Sequence, residues 1–339
     1  MFLKIWQDIK KKKFAPLYLL YGKEDFLIQE TKNLIIHEAL DEQDMDLNLN
    51  VYDMEETGVE IAVEDCETIP FFGERKVVVI QNAYFLTASK ETEKDKVEHN
   101  VKVLEQYATS PVPSTILIIA APYEKLDERK RITKTLKKQA TVLEAKELSE
   151  QEAIQWMLHF VEERGGAMDR EGAERLFQLI GPNLAIIHNE LNKLLLYSDG
   201  ALITDQMVEQ MVAKSLEDNI FDLVDNVVQK RLDKCLEIYH DLLKQNEEPI
   251  KIVAVIASQL RLLYQVKTLM DKGFGQKQIA SQLKVHPFRV KLAMGKTKQF
   301  PLKKILQMLN DLADMDYRMK TGGGNREKLL ELFFMKHIH

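Results

Sequence analysis

The sequence predicts an α/β domain built on a parallel sheet, followed by a small helical domain and a longer helical one. Three observations lead there. Short apolar runs alternate with helix-period segments through residue 146, and the alternation stops at Ser149. The charge is also split. Residues 251–339 carry 17 lysines and arginines against 6 acids, whereas the first 250 residues carry 30 against 47. Alternation of strands and helices argues for parallel strands joined by helical crossovers. The expected domains are 1–146, 147–214 and 215–339, with the second joint around Ser215–Asn219.

Each element has its own signal. Leu17–Tyr21 reads as a buried strand and Glu24–Leu40 as the helix after it. Leu47–Tyr52 is read as a second strand and Val59–Thr68 as a second helix. Lys76–Gln81 carries the run Val-Val-Val-Ile, suited to a sheet buried on both faces. Lys94–Thr109 is read as helix, Thr115–Ala120 as strand, Glu128–Lys138 as helix and Ala140–Leu143 as the last strand. Ser149 and Glu152 then form a capping box, which satisfies the free N–H groups of a new helix. Ile154, Met157, Leu158 and Val161 follow at helical spacing up to Gly165-Gly166. Ala173, Leu176, Phe177 and Ile180 repeat it up to Gly181-Pro182, and Leu184, Ile187, Leu191, Leu194 and Leu195 continue it. No strand is expected after Ser149.

Composition excludes several classes. The chain has 339 residues, 45% hydrophobic and 29% charged, as soluble globular proteins do. No uninterrupted apolar run approaches the roughly 18 residues of a membrane span; Ile252–Ala257 is among the longest. Met1-Phe2-Leu3-Lys4 has no signal-peptide pattern, so a cytoplasmic protein without membrane association is expected. Cys66 and Cys235 are too few for a disulfide framework or a metal site. The histidines show neither ligand nor triad spacing, so no catalytic residue, cofactor or metal is expected. The basic C-terminal stretch suits an anion, nucleic acid first, or simply the acidic remainder of the same assembly.

Two motifs carry the functional reading. Leu17 to Phe26 has the outline of a nucleotide-binding strand–loop–helix, with Gly22 and Lys23 at the turn. A working phosphate loop reads G-x-x-x-x-G-K-[ST], its backbone N–H groups cradling phosphate and its hydroxyl holding magnesium. Here one glycine remains, and Glu24-Asp25 stands where the hydroxyl belongs. Thr115–Ala120 ends in Ala-Ala-Pro-Tyr, with no carboxylate before Glu124 to hold magnesium. The second motif is Ile69-Pro70-Phe71-Phe72-Gly73-Glu74-Arg75, where proline and glycine bracket two phenylalanines on a turn. Both rings could fold into the core, as most phenylalanines do, or stand out as an aromatic anchor for a partner.

The run of domains and these motifs resemble a known family. The order of parallel α/β core, small lid and helical collar is similar to the clamp-loader branch of the AAA+ proteins. Three stretches narrow it: Leu17–Leu27, Ile69–Val79 and Met319–Gly322. They resemble the delta subunits of bacterial DNA polymerase III, the clamp-loader subunit that opens the sliding clamp in DNA replication. The resemblance implies an AAA+-like fold and no ATP hydrolysis by this chain, within a larger nucleotidyltransferase assembly. It implies that Ile69, Pro70, Phe71, Phe72 and Arg75 bind the clamp, the beta subunit. In the family an apolar pair, often Leu-Phe, enters a clamp pocket there; it maps onto Phe71 and Phe72, with Phe in the first place changing the shape of the wedge but not its apolar character. Arg75 would pair with an acid on the clamp or cap the loop. Residues 215–339 would join the tau/gamma and delta prime subunits, with primed DNA close by. On this reading a nucleotide pocket has fallen silent and a neighbouring aromatic tip has taken over.

Two further stretches remain. Gly275–Val290 reads as helix, turn and basic helix, like a helix-turn-helix DNA reader, with Lys291, Lys296 and Lys298 close by. Tyr317, Arg318 and Lys320 precede Gly322-Gly323-Gly324; the resemblance implies a place near the DNA at the collar, where an aromatic with flanking cations suits stacking on an exposed base beside phosphate, or the glycines are a flexible helix break. A helix-turn-helix regulator and an active P-loop ATPase are the alternative functions. Met294 and Met315 read as core fillers.

Overall fold

The computed structural model describes residues 2–71, 73–88, 97–214, 216–297 and 300–338. The chain divides into two compact units, Met1–Glu147 and Leu148–His339. The first holds α1 (Phe2–Lys10), β1 (Leu17–Gly22), α2 (Asp25–Ala39), α3 (Glu42–Asn48), β2 (Leu49–Asp53) and α4 (Val59–Cys66). It continues with β3 (Lys76–Gln81), α5 (Val101–Thr109), β4 (Thr115–Ala121), α6 (Arg131–Gln139) and β5 (Thr141–Ala145). The sheet order is β2-β3-β4-β1-β5, and every pairing is parallel.

The apolar runs explain the layering. Successive side chains in a strand point to opposite faces. Leu17, Leu19, Val78, Ile80, Leu117 and Ile119 form one core with α4, α5 and α6. Tyr18, Leu20, Val77, Val79, Ile116 and Ile118 are equally buried on the other face. There α2 packs on β1, β3 and β5.

Several boundaries differ from the sequence expectation. Leu47–Tyr52 is not all strand: Leu47 and Asn48 end α3, and the strand begins at Leu49. Leu47 is half exposed, so no core face claimed it. Residues 97–100 are not helical, and 94–96 lie outside the described residues. His99 is held there instead: its Nδ1 accepts from the Val59 N–H at 3.2 Å and its Nε2 lies 2.8 Å from the Tyr84 hydroxyl. Residues 128–130 form a turn fixed by Asp127, which accepts from Arg129 Nε and Nη2 at 2.9 Å each.

The second unit begins with α7 (Glu150–Glu163), β6 (Ala167–Met168), α8 (Arg170–Ile180), α9 (Leu184–Ser198), β7 (Leu202–Ile203) and α10 (Asp205–Met211). The capping box at Ser149 and Glu152 is formed on both sides. Gly181 ends α8 at φ +74°, a conformation that favours glycine. The pair β6–β7 corrects the expectation of no strand: two residues each, parallel, too short to show a period of two.

Among the described residues seven helices follow: α11 (Leu216–Val228), α12 (Leu232–Lys244), α13 (Pro249–Asp271), α14 (Gln276–Leu283), α15 (Pro287–Lys296), α16 (Leu302–Lys320) and α17 (Arg326–Ile338). They share one core, in which Ile256, Leu260, Leu263, Met308, Leu312 and Phe334 are buried; Met315 belongs to it and Met294 packs against it. By length and composition α13 could cross a membrane, but half of its apolar window is buried inside the protein. That is the pattern of a core helix.

Candidate functional site

Because all strands are parallel, their carboxyl ends share one edge of the sheet. The turn after β1 lies at that edge, where α/β proteins usually bind ligands. The loop from α4 into β3 lies at the opposite, amino edge. The two motifs are therefore not neighbours, because each crossover returns the chain across the sheet.

At the carboxyl edge the phosphate-loop remnant is filled by the protein itself. Gly22 pairs in register with Ala145 and has φ +140°. A side-chain carbon there would collide with the Ala145 carbonyl. The Glu24 N–H donates to that same carbonyl at 3.1 Å. Glycine is thus required by the approach of β5. Lys23 Nζ lies 3.3 Å from a carboxylate oxygen of Glu124, the first acid after β4. The remnant lysine and the displaced acid meet each other, in a surface pair worth at most about 1 kcal/mol. Burial pushes the Glu24 carboxyl up to about 7, and the charge of Glu147 adds to the shift.

At the amino edge the geometry is reversed: backbone held, apolar side chains outward. Ile69 is 85% exposed and Phe71 60%; Phe72 lies outside the described residues. Phe71 is thus not sealed in the core. Its backbone is bound twice by one side chain. The Phe71 N–H donates to Asn48 Oδ1 at 2.7 Å, and Asn48 Nδ2 donates to the Phe71 carbonyl at 2.9 Å. Asn48 itself is fully buried. Gly73 has φ +137°, and a side-chain carbon there would lie 3.1 Å from Asp44 Oδ2.

Buried Lys76 anchors the ends of the loop. It ion-pairs with Asp65 and donates to Thr68 Oγ1 at 2.7 Å and the Asp65 carbonyl at 3.1 Å. Asn50 donates to Asp65 Oδ2 at 2.9 Å. Arg75 lies over the Phe14 ring, 4.8 Å from its centroid, a cation–π contact that sequence reasoning did not foresee. Nor did it foresee Asn48 and Lys76, which lie 23 and 5 positions from Phe71. The buried polar pairing that reveals them has no local sequence signal.

In the second unit, α16 carries Tyr317 (69% exposed), Arg318 and Lys320 at its end. Lys320 pairs with Asp316 at 2.7 Å. The glycines after it close a helix cap: the Gly323 N–H donates to the Arg318 carbonyl at 2.8 Å, and the Thr321 N–H donates to the Tyr317 carbonyl at 3.0 Å. The suspected DNA-reading pair is committed elsewhere. A base reader presents the N-terminal residues of its second helix to the groove. Here His286 caps α15, Nδ1 accepting from the Phe288 N–H at 3.2 Å, with Nε2 3.0 Å from the Leu148 carbonyl. Phe288 is buried edge-on against Phe177, and Lys291 pairs with Glu150 at 2.8 Å. Lys296 lies over the Phe221 ring and Lys298 is outside the described residues.

Comparison with known proteins decides the family. The family described as DNA polymerase III, delta subunit matches residues 18–146, and its C-terminal domain family matches 217–337. Residues 149–210 match a family described as a middle domain. The DNA polymerase III subunit delta of Bacillus subtilis is 46% identical over 337 residues, covering 99% of this chain and 96% of that protein. The chain belongs to the DNA polymerase III delta-subunit family. A probable delta subunit from Aquifex aeolicus is 28% identical over 61% of the chain and 59% of its own length. The solved structure of the Bacillus subtilis DNA clamp loader delta protein superposes with a TM-score of 0.83, at 46% identity, covering 100% of this chain and 99% of that one. The delta-family fold is thus the expected one: a parallel, AAA+-like sheet domain followed by a helical region. Membership makes the chain a clamp-loader delta subunit of DNA polymerase III.

Proposed function

We propose that this delta-family chain binds the sliding clamp through Ile69, Pro70, Phe71, Phe72 and Arg75 and promotes opening of the ring on primed DNA, without hydrolysing ATP itself. The observation that carries the reading is Phe71: an aromatic side chain 60% exposed on a backbone fixed by buried hydrogen bonds. Exposed aromatic anchors of this kind dominate interface energies. Burying two phenylalanine rings supplies about 3–6 kcal/mol before costs. A partner shifts a conformational equilibrium only by its differential affinity for the two states. The clamp pocket must therefore accept the pair better when its nearby interface is distorted.

The wider assignments belong to the same proposal. Residues 1–146 act as the clamp-binding domain, 147–214 as a small lid and 215–339 as the collar that meets tau/gamma and delta prime subunits. Nucleotide bound to those subunits controls when the loop is available. Tyr317, Arg318 and Lys320 lie toward primed DNA, and the protein works in the cytoplasm.

The test is capture of purified sliding clamp by the full-length chain with no nucleotide added. Replacing Phe71 and Phe72 together by Ala is expected to weaken binding by about 100-fold or more, the range of two interface anchors, and to leave the melting curve nearly unchanged. A double variant that unfolds, or one that still captures the clamp, refutes the reading.

A further inference from the structure

We infer that Asn48 is a positioning residue for clamp binding: its buried carboxamide holds the Phe71 backbone so that the ring is presented before the partner arrives. This rests on the reading of the loop as the clamp contact. Asn48 ends α3, is 0% exposed, and uses both ends of its amide on one residue, accepting from the Phe71 N–H and donating to the Phe71 carbonyl. The pairing copies what a neighbouring strand would do for Phe71, and so fixes its peptide planes. If the loop moved away, the buried Asn48 amide would give up both of these bonds, which is costly.

The surroundings support the same role. Asp44 and Asn48 are the nearest groups to the space beside Gly73, so the loop runs closely along α3. Lys76 bonds Thr68 and Asp65 at the other end of the loop. The loop is therefore held at Phe71 by Asn48 and at Asp65 and Thr68 by Lys76, while Ile69 and Phe71 are exposed. An anchor already fixed in its bound conformation loses less freedom on binding. Asn48 acts on the clamp contact through the Phe71 backbone it binds.

The experiment is a double-mutant cycle in the full-length chain, with affinity for purified sliding clamp, hydrogen exchange of residues 66–75 and thermal melting measured on each variant. Asn48→Ala is expected to weaken clamp binding by about tenfold, to speed exchange at Phe71, and to leave the protein folded at the assay temperature. Asn48→Asp sets a buried carboxylate against the Phe71 carbonyl and is expected to lose at least as much. Asn48→Ala combined with Phe71→Ala is expected to bind no worse than Phe71→Ala alone, since a missing ring needs no positioning. The inference is overturned if Asn48→Ala binds as the parent does, if exchange is unchanged, or if the two losses multiply independently. Should Asn48→Ala fail to fold, Asn48→Ser, neutral and still polar, carries the same three measurements. Parent-like clamp binding by Phe71→Ala alone would instead sink the reading of the loop, whatever Asn48 does.

Discussion

The two turns singled out by the sequence lie at opposite edges of one parallel sheet and are built in opposite ways. After β1, the backbone of Gly22 is pressed against Ala145, and the exposed groups are Lys23 and its partner Glu124. Before β3, the polar backbone of Phe71 is satisfied inside by Asn48, and the exposed groups are apolar. The carboxyl-edge turn pairs its lysine with an acid of the same chain, whereas the amino-edge loop exposes apolar side chains, Ile69 at 85% and Phe71 at 60%. Exposure of Phe71 is therefore not a sign of loose structure. A ring can face water on a rigid backbone when its peptide groups are paired below.

Substitutions at each edge test whether that contrast is functional, and Gly22→Ala is expected to have the largest effect. The new methyl group cannot fit against the Ala145 carbonyl, so urea unfolding should show a loss of about 4 kcal/mol. Clamp affinity of the folded fraction should stay at the parent value if the two edges are independent; a matched loss of affinity would break the contrast. Lys76→Met should cost about 3 kcal/mol, because it leaves Asp65 without its buried cation. It should also weaken clamp binding, since Thr68 and the loop lose their anchor. Unchanged affinity in that variant would detach the anchor from the function.

A smaller effect is expected from Glu24→Gln, and its sign depends on pH. The folded carboxyl titrates at about 7, whereas in an unfolded chain it titrates near about 4.3. Between those values the folded protein keeps a proton that the unfolded chain has released. The contribution of Glu24 to stability is full below pH ~4 and is lost as the pH rises to ~7. Glu24→Gln should therefore stabilise by about 1 kcal/mol at pH 8, after discounting for solvent screening, and the gain should shrink as pH falls toward ~4. Urea titrations across that range would check it; a variant less stable than the parent at pH 8 would contradict it. The smallest change is expected from Lys23→Ala, which removes a surface pair and should cost no more than about 0.5 kcal/mol. It should leave clamp capture intact; loss of capture would return function to the carboxyl edge.

Much of the fold was legible because its signals are local. The runs at Leu17–Tyr21, Lys76–Gln81 and Thr115–Ala120 are buried on both faces, so their composition alone marks them as strands. Ser149 and Glu152 sit three residues apart, and their capping box formed as read. The failures were non-local. Leu47 and Asn48 read as the start of a strand, yet they end a helix, with the Asn48 amide bonded to the distant Phe71 backbone. Sequence spacing could not show which edge each motif occupies.

The residues by themselves determined the parallel sheet domain, the change to helices at Ser149 and the departure of Gly22-Lys23-Glu24 from a working phosphate-loop pattern, because periodicity, caps and glycines act over a few positions. Only the tertiary structure decided that Lys23 meets Glu124, that His286 and Phe288 are packed away from any groove, and that Asn48 and Lys76 hold the exposed loop. Those choices depend on which buried polar groups find partners across the fold, and hydrogen-bond satisfaction between distant segments leaves no pattern in the linear chain.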